Sequence, residues 1–106
     1  MPIIPKGGVD SEQLSAAISK IEEAHKPDIV RILHTIENDS SGEPAIFFRV
    51  LLSDAASRPD RLHDVTSRIR TFILRQIDPF NSWGLIPYIR FRSESEQAVL
   101  RERAWS

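Results

Sequence analysis

Apolar and polar residues follow a helical spacing in the first third of the chain. Leu14, Ala17, Ile18 and Ile21 recur at steps of three and four residues, which predicts a short amphipathic helix. Asp10 or Ser11 is placed to accept the free amide hydrogens of its first turn. Pro27 forbids continuation of the helix, so we expect it to end near His25.

A second and longer helix is predicted after residue 57. One apolar stripe extends over four turns and consists of Leu62, Val65, Ile69, Phe72, Ile73 and Ile77. Ser57 and Asp60 have the spacing of a capping box, and Pro59 between them is tolerated in a first turn. The stretch DPFNSWG, residues 78–84, then breaks the helix.

Three segments alternate with the period of β-strands. In residues 28–38, Val30, Ile32 and Ile36 fall on one face, and Arg31, Thr35 and Glu37 fall on the other. Turn-forming residues at 38–44 predict a hairpin into a second strand, AIFFRVLL, residues 45–52. A third strand, LIPYIRFR, residues 85–92, follows the long helix. Ser93 and Glu96 then form a capping box before a short C-terminal helix.

These elements define an α+β fold with the order helix, strand, strand, helix, strand, short helix. The long helix that joins the second and third strands requires a right-handed crossover, which lays it on one face of the sheet. Each main helix has a single apolar stripe, so we expect both helices on that face and an open face opposite. Residues 10–106 are predicted to form a single domain, and residues 1–9, with Pro2, Pro5 and Gly7-Gly8, an irregular N-terminal arm.

The second strand contains an arginine within its apolar run, and strand parity explains it. Ile46, Phe48, Val50 and Leu52 share one face, which is entirely apolar and must be the core face. Arg49 therefore points to the open face. The same parity on the other strands gathers a surface that we call the arginine face, made of Arg31, Phe47, Arg49, Leu51, Tyr88, Arg90 and Arg92.

Arginine and aromatic residues are enriched where proteins bind one another, so the arginine face is predicted to bind a protein partner or a second copy of the chain. Trp105, the penultimate residue, is a further predicted docking residue, although it can equally fold back on Val99 and Leu100. A second interpretation is single-stranded nucleic acid, with bases on the aromatics and arginine on the phosphates. The alternative without function is that arginine stems only shield a thin sheet.

A second set of arginines lies on the long helix. Arg61, Arg68 and Arg75 are seven residues apart and are predicted to line one flank of the apolar stripe. Such a row suits phosphates or an acidic partner. It is more often simply the solvated edge of an amphipathic helix.

Composition narrows the class of protein. The 106 residues carry a net charge of -1, which does not favour nucleic acid or an anionic membrane as the general partner. There are no cysteines and no pattern of a signal peptide, so we expect a cytoplasmic protein without disulfides. No apolar run is long enough to span a bilayer.

No arrangement of residues points to catalysis. The histidines His25, His34 and His63 lack metal-binding spacing, and His34, on the apolar face of the first strand, is interpreted as a hydrogen-bonded structural imidazole. Acidic residues at the hairpin loop, Asp39 among them, lack the alternation of a calcium loop. We expect no cofactor, no metal and no catalytic residue.

The order helix, strand, strand, helix, strand over residues 11–92 resembles type II KH domains and ribosome-binding factor A, and also a ferredoxin-like fold that lacks one strand. The likeness rests on element order, and the chain has no GxxG loop. The nucleic-acid clamp of KH domains therefore transfers to no residue here. We expect a non-enzymatic interaction module, such as an antitoxin-like, immunity or adaptor subunit, with an RNA-binding or ribosome-associated domain as the alternative.

Overall fold

The computed structural model describes residues 9–106, and the predicted order of elements is confirmed. Its elements are α1 (Ser11–Ala24), β1 (Ile29–Asn38), β2 (Pro44–Leu52), α2 (Leu62–Gln76), α3 (Pro79–Trp83), β3 (Ile86–Ser93), α4 (Glu94–Leu100) and a 3-10 turn (Arg103–Trp105). Of the predicted arm, residues 1–8 lie outside the described residues, and Val9 packs partly buried against the core. No helix within residues 9–106 has the length and apolar character needed to cross a membrane.

The three strands form one mixed sheet in the order β1-β2-β3. β1 pairs antiparallel with β2 as a hairpin, and β3 pairs parallel with β2 after the helical crossover. A register shift lies between Ile29 and Arg31. Because of this bulge, Ile29 is buried opposite Leu52 whereas Val30 is 44% exposed, so the prediction of Val30 on the core face is wrong.

The main core lies between one face of the sheet and the apolar stripes of α1 and α2. Ile46, Phe48 and Val50 of β2 are fully buried in it, which confirms the parity deduced for this strand. The helices contribute Leu14, Ile18, Ile21, Val65, Ile69 and Ile73. The Arg70 guanidinium of α2 lies 5.5 Å from the ring of Phe91, a core-face residue of β3. Both main helices thus cover the same face.

The core face continues beyond the residues that the helices bury. His34 and Ile36 pair with Phe48 and Ile46, yet both side chains are exposed. Partial burial lowers the pKa of His34 from its ordinary value. Its imidazole makes no hydrogen bond within residues 9–106, so the interpretation as a hydrogen-bonded structural histidine is wrong.

Capping was predicted correctly for α1 and α4. Asp10 accepts a hydrogen bond from the amide of Gln13 at 3.0 Å. At α4, the Glu96 amide donates to Ser93 Oγ at 3.1 Å, and the Ser93 amide donates to Glu96 Oε1 at 3.0 Å. These reciprocal bonds satisfy two amides that the helix itself leaves free.

The predicted capping box of α2 is wrong. Ser57 Oγ donates instead to the carbonyl of Ser53 at 2.9 Å, because the residues around it form turns rather than helix. The helix begins only at Leu62, and Arg61 precedes it without a side-chain cap. At its other end, Asp78 adopts φ 45 in the left-handed region, and Pro79 begins α3, a one-turn helix that was not predicted.

Candidate interaction site on the arginine face

Together with Leu33 and Thr35, the seven residues of the arginine face form three cross-strand rows, each with one residue from every strand. The residues that parity predicted do meet on the side opposite the main core. In register, the rows are Thr35–Phe47–Tyr88, Leu33–Arg49–Arg90 and Arg31–Leu51–Arg92. The three rows differ in what surrounds them, and this difference decides which residues are accessible.

The first row is aromatic. The rings of Phe47 and Tyr88 stack with their centroids 5.0 Å apart and an interplanar angle of 11°. Tyr88 is 39% exposed, and its hydroxyl donates to Asp39 Oδ2 at 2.9 Å. That bond to Asp39 raises the pKa of Tyr88. The stack is therefore tied to the β1–β2 turn and presents a fixed aromatic surface to solvent.

Asp39 organises that turn and was identified from the sequence as a turn residue. Its Oδ1 accepts hydrogen bonds from Ser41 Oγ, the Ser41 amide and the Glu43 amide at 2.7, 2.9 and 3.0 Å. The bond from the Ser41 hydroxyl, followed by those from Glu43 and Tyr88, lowers the pKa of Asp39 to about 2. Within residues 9–106 no group of three or more metal-ligating side chains is assembled.

The second row places two guanidinium groups side by side. Arg49 is half-buried and donates from Nη1 to Thr35 Oγ1 at 2.8 Å, and Arg90 is exposed on the adjacent strand. No carboxylate of residues 9–106 lies within 4.0 Å of either guanidinium group. The ion pairs among these residues involve Lys26, Arg58, Arg61 and Arg92 instead. Like charges placed directly opposite on a sheet are unfavourable unless something compensates them.

Arg92, at one end of the third row, is held by the C-terminal residues, whereas Arg31, at the other end, is exposed. Arg92 donates from Nη1 to Gln97 Oε1 at 2.9 Å and forms an ion pair with Glu102. The ring of Trp105 lies 4.4 Å from the Arg92 guanidinium carbon, a cation–π distance. Leu51 is 8% exposed and Trp105 is 6% exposed, although neither belongs to the main core.

This arrangement corrects the predicted roles of Leu51, Arg92 and Trp105. We expected all three to be available to a partner, but they are held within the chain. The reason is a reversal after α4: Arg101 adopts φ 52, and Gln97 Nε2 donates to the Glu102 carbonyl at 2.7 Å. Trp105 does fold back, but onto Arg92 rather than onto Val99, which is 81% exposed.

A shallow concavity of about 190 Å³ remains between the covered and the open parts of the arginine face. We call it the central concavity. It is lined by Glu37, Phe47, Phe48, Arg49, Arg90 and Trp105. Its lining therefore includes two arginines, one glutamate and three aromatic residues, of which Phe48 is fully buried in the main core.

The predicted arginine row on α2 is reduced to two members. Arg61 binds both carboxylate oxygens of Asp28, at 3.0 and 3.2 Å, and so fastens the start of α2 to the residue before β1. Because Arg61 precedes the helix and is engaged in this ion pair, it does not extend a row with Arg68 and Arg75. Those two remain exposed on α2.

A larger cavity, of about 390 Å³, lies near the start of α2 and the end of β3. Its hydroxyl groups are already engaged: Ser57 and Thr66 donate to the carbonyls of Ser53 and His63. Ser93 and Glu96 are engaged in the capping box, and Arg92 is held by Gln97 and Glu102. The cavity thus offers no set of free polar groups comparable with the central concavity.

Sequence reasoning missed three residues that shape the site: Thr35 as acceptor for Arg49, Asp39 as anchor of Tyr88, and Glu102 as partner of Arg92. Parity placed Thr35 on the correct face, which is the signal that was available.

In comparisons with known proteins, the chain matches no family model, no curated protein and no solved structure.

Proposed function

We propose that the protein is a non-enzymatic interaction module of the cytoplasm that binds an acidic segment of a protein partner at the arginine face. The observation that carries this proposal is the adjacent pair Arg49 and Arg90, without a carboxylate in ion-pair range within residues 9–106. A carboxylate from a partner would compensate both charges.

The surroundings of the pair suit a protein segment. The stacked Phe47 and Tyr88 lie in the adjoining row, and Trp105 lines the same concavity. Aromatic residues and arginine together supply most of the binding energy in many protein interfaces. Charge complementarity would set the orientation and the rate of association, while the aromatic surface would contribute apolar contact area.

Charge also bears on self-association through this face. A symmetric dimer that packed one arginine face on another would bring Arg49 and Arg90 towards their own copies, because a two-fold interface uses the same patch twice. Like charges at an interface are costly. We therefore favour a different, acidic molecule over a second copy of the chain as the occupant of the arginine face.

Single-stranded RNA is the second candidate, favoured by the exposed Tyr88 beside Arg90. Bases stack on such rings, and arginine contacts phosphate. The position of Asp39 weakens this candidate. Its carboxylate binds the Tyr88 hydroxyl, and its low pKa keeps it negatively charged at neutral pH. RNA carries a phosphate at every nucleotide and would place one at that end, whereas a protein segment can place an uncharged residue there.

The test compares two double charge reversals. Arg49→Glu with Arg90→Glu alters the arginine face, and Arg68→Glu with Arg75→Glu makes the same change in net charge on α2. Fluorescence anisotropy would be recorded with a short labelled peptide of glutamate and tryptophan and with a labelled oligouridylate. Circular dichroism would verify that each variant is folded.

We expect the wild type to bind the peptide and the arginine-face variant to lose about tenfold or more in affinity, with little change in the α2 variant. Binding of oligouridylate alone, lost only in the arginine-face variant, would replace the proposal with the RNA candidate. Equal losses in both variants, or no binding of either probe, would overturn both.

A further inference from the structure

The C-terminal segment, residues 101–106, already occupies one end of the arginine face. Its Glu102 carboxylate pairs with Arg92, and its Trp105 ring lies 4.4 Å from the same guanidinium. A carboxylate and an aromatic ring three residues apart thus bind one arginine of the sheet. Of these two groups, the adjacent Arg49 and Arg90 have aromatic neighbours but no carboxylate of residues 9–106 in ion-pair range.

The segment also reaches the central concavity. Trp105 lines it together with Arg49 and Arg90, so the ring stands between the occupied third row and the open second row. A ligand that fills the concavity must contact Trp105 or displace it. The C-terminal segment and a partner would therefore meet at one site.

We infer that the C-terminal segment is an internal ligand of the arginine face, and that the partner's binding element has the same chemistry: a carboxylate followed three residues later by an aromatic side chain. The inference rests on the proposed function and specifies its partner. The partner element competes with residues 101–106, and binding releases Trp105 from Arg92.

The way the segment is held supports its displacement. Arg101, the residue at which the chain reverses, has φ 52, a conformation that a non-glycine residue adopts at a cost. Trp105 is the one buried residue of the segment, its other five residues are exposed, and α4 leaves Val99 and Leu100 exposed rather than packed. Segments with few packed contacts open at low free energy.

The test uses a variant in which the segment is weakened, Glu102→Gln with Trp105→Ala. Its matched control, Glu94→Gln with Val99→Ala, also removes one negative charge and truncates one apolar side chain, but at exposed positions outside these contacts. The probes are the glutamate and tryptophan peptide and a labelled synthetic copy of residues 101–106. Affinities would be measured by fluorescence anisotropy at one ionic strength.

We expect the weakened variant to bind both probes at least about fivefold more tightly than the wild type. In the wild type the C-terminal segment occupies the site for part of the time, and this lowers the apparent affinity for a probe. The control should match the wild type. Equal or weaker binding by the weakened variant would overturn the inference. If that variant does not fold, the fluorescence of the Trp83→Phe variant gives a second readout, because Trp105 is then the sole tryptophan.

For this readout, the peptide copy of residues 101–106 carries phenylalanine in place of its own tryptophan. Saturating the protein with this peptide should shift the emission of the protein's Trp105 to longer wavelength. Binding without a shift would overturn the inference. The two proposals can fail separately. If the weakened variant gains no affinity but Arg49→Glu with Arg90→Glu still loses affinity, only the internal-ligand proposal is wrong. Unchanged affinity in the latter variant removes the proposed function.

Discussion

Arg49 and Arg90 are register partners on adjacent parallel strands, and no carboxylate within residues 9–106 lies in ion-pair range of either. Proteins that place two like charges side by side without compensation sacrifice some stability. Residues kept at such a cost are good candidates for binding. The relationship leads directly to a prediction about stability.

Arg90→Gln should stabilise the folded protein by about 0.2–1 kcal/mol, because it removes a like charge directly opposite Arg49. The measurement is the midpoint of urea unfolding, followed by circular dichroism. Arg68→Gln, which removes an exposed arginine of α2, is the control and should leave the midpoint nearly unchanged. A lower midpoint for Arg90→Gln would show that Arg90 is compensated in the folded state.

The two neighbouring phenylalanines of β2 should differ in how much stability their truncation costs. Phe48→Ala empties a fully buried core position and should cost about 3–5 kcal/mol. Phe47→Ala removes a half-buried ring of the arginine face, so it should cost clearly less while reducing peptide affinity. Chemical denaturation of both variants tests this, and the reverse order of stability would contradict the assignment of the two faces.

Asp39 should contribute to the acid sensitivity of the fold. Its pKa is about 2 in the folded protein against about 3.9 in an unfolded chain, so the folded state binds fewer protons in this range. Its contribution is complete above about pH 4 and is lost as the pH falls towards 2. Unfolding followed between these pH values should show a shallower decline for Asp39→Asn, with Asp60→Asn as the exposed control. Identical slopes for Asp39→Asn and the wild type would count against this role.

Arg101→Gly should hold the C-terminal segment more firmly, because glycine adopts a positive φ without the penalty that arginine pays. We expect a net stabilisation of about 0.5–1 kcal/mol, because the left-handed penalty of about 1–2 kcal/mol exceeds the entropic cost of glycine. The acidic peptide should then bind more weakly. Thermal unfolding and anisotropy provide the two readouts. Arg103→Gly, in the 3-10 turn, serves as a control that should not stabilise, and stabilisation by both changes would point to a nonspecific effect.

The face assignment of β2 could be deduced from the sequence because one side of the strand is entirely apolar. Phe48 and Val50 leave no other choice of core face, and Arg49 follows by alternation. The same argument was insufficient for β1, because the bulge beside Val30 adds a residue and inverts the parity before it. Short-range alternation carries no mark of a bulge.

The C-terminal residues show where sequence reasoning reaches its limit. The capping box of Ser93 and Glu96 is a local pattern and was predicted correctly. The pairing of Arg92 with Glu102 depends on a reversal at Arg101, which has none of the usual signals of glycine or asparagine. The expected docking role of Trp105 therefore had to be corrected from the tertiary structure.

The most direct test of the account is an NMR titration of the nitrogen-15 labelled protein with the glutamate and tryptophan peptide. We predict that amide shifts change at Phe47, Arg49, Arg90 and Trp105, while the exposed face of α2 at Arg68 and Arg75 stays unchanged. Shifts confined to α2, or spread evenly over the surface, would contradict the claim that the arginine face is the binding site.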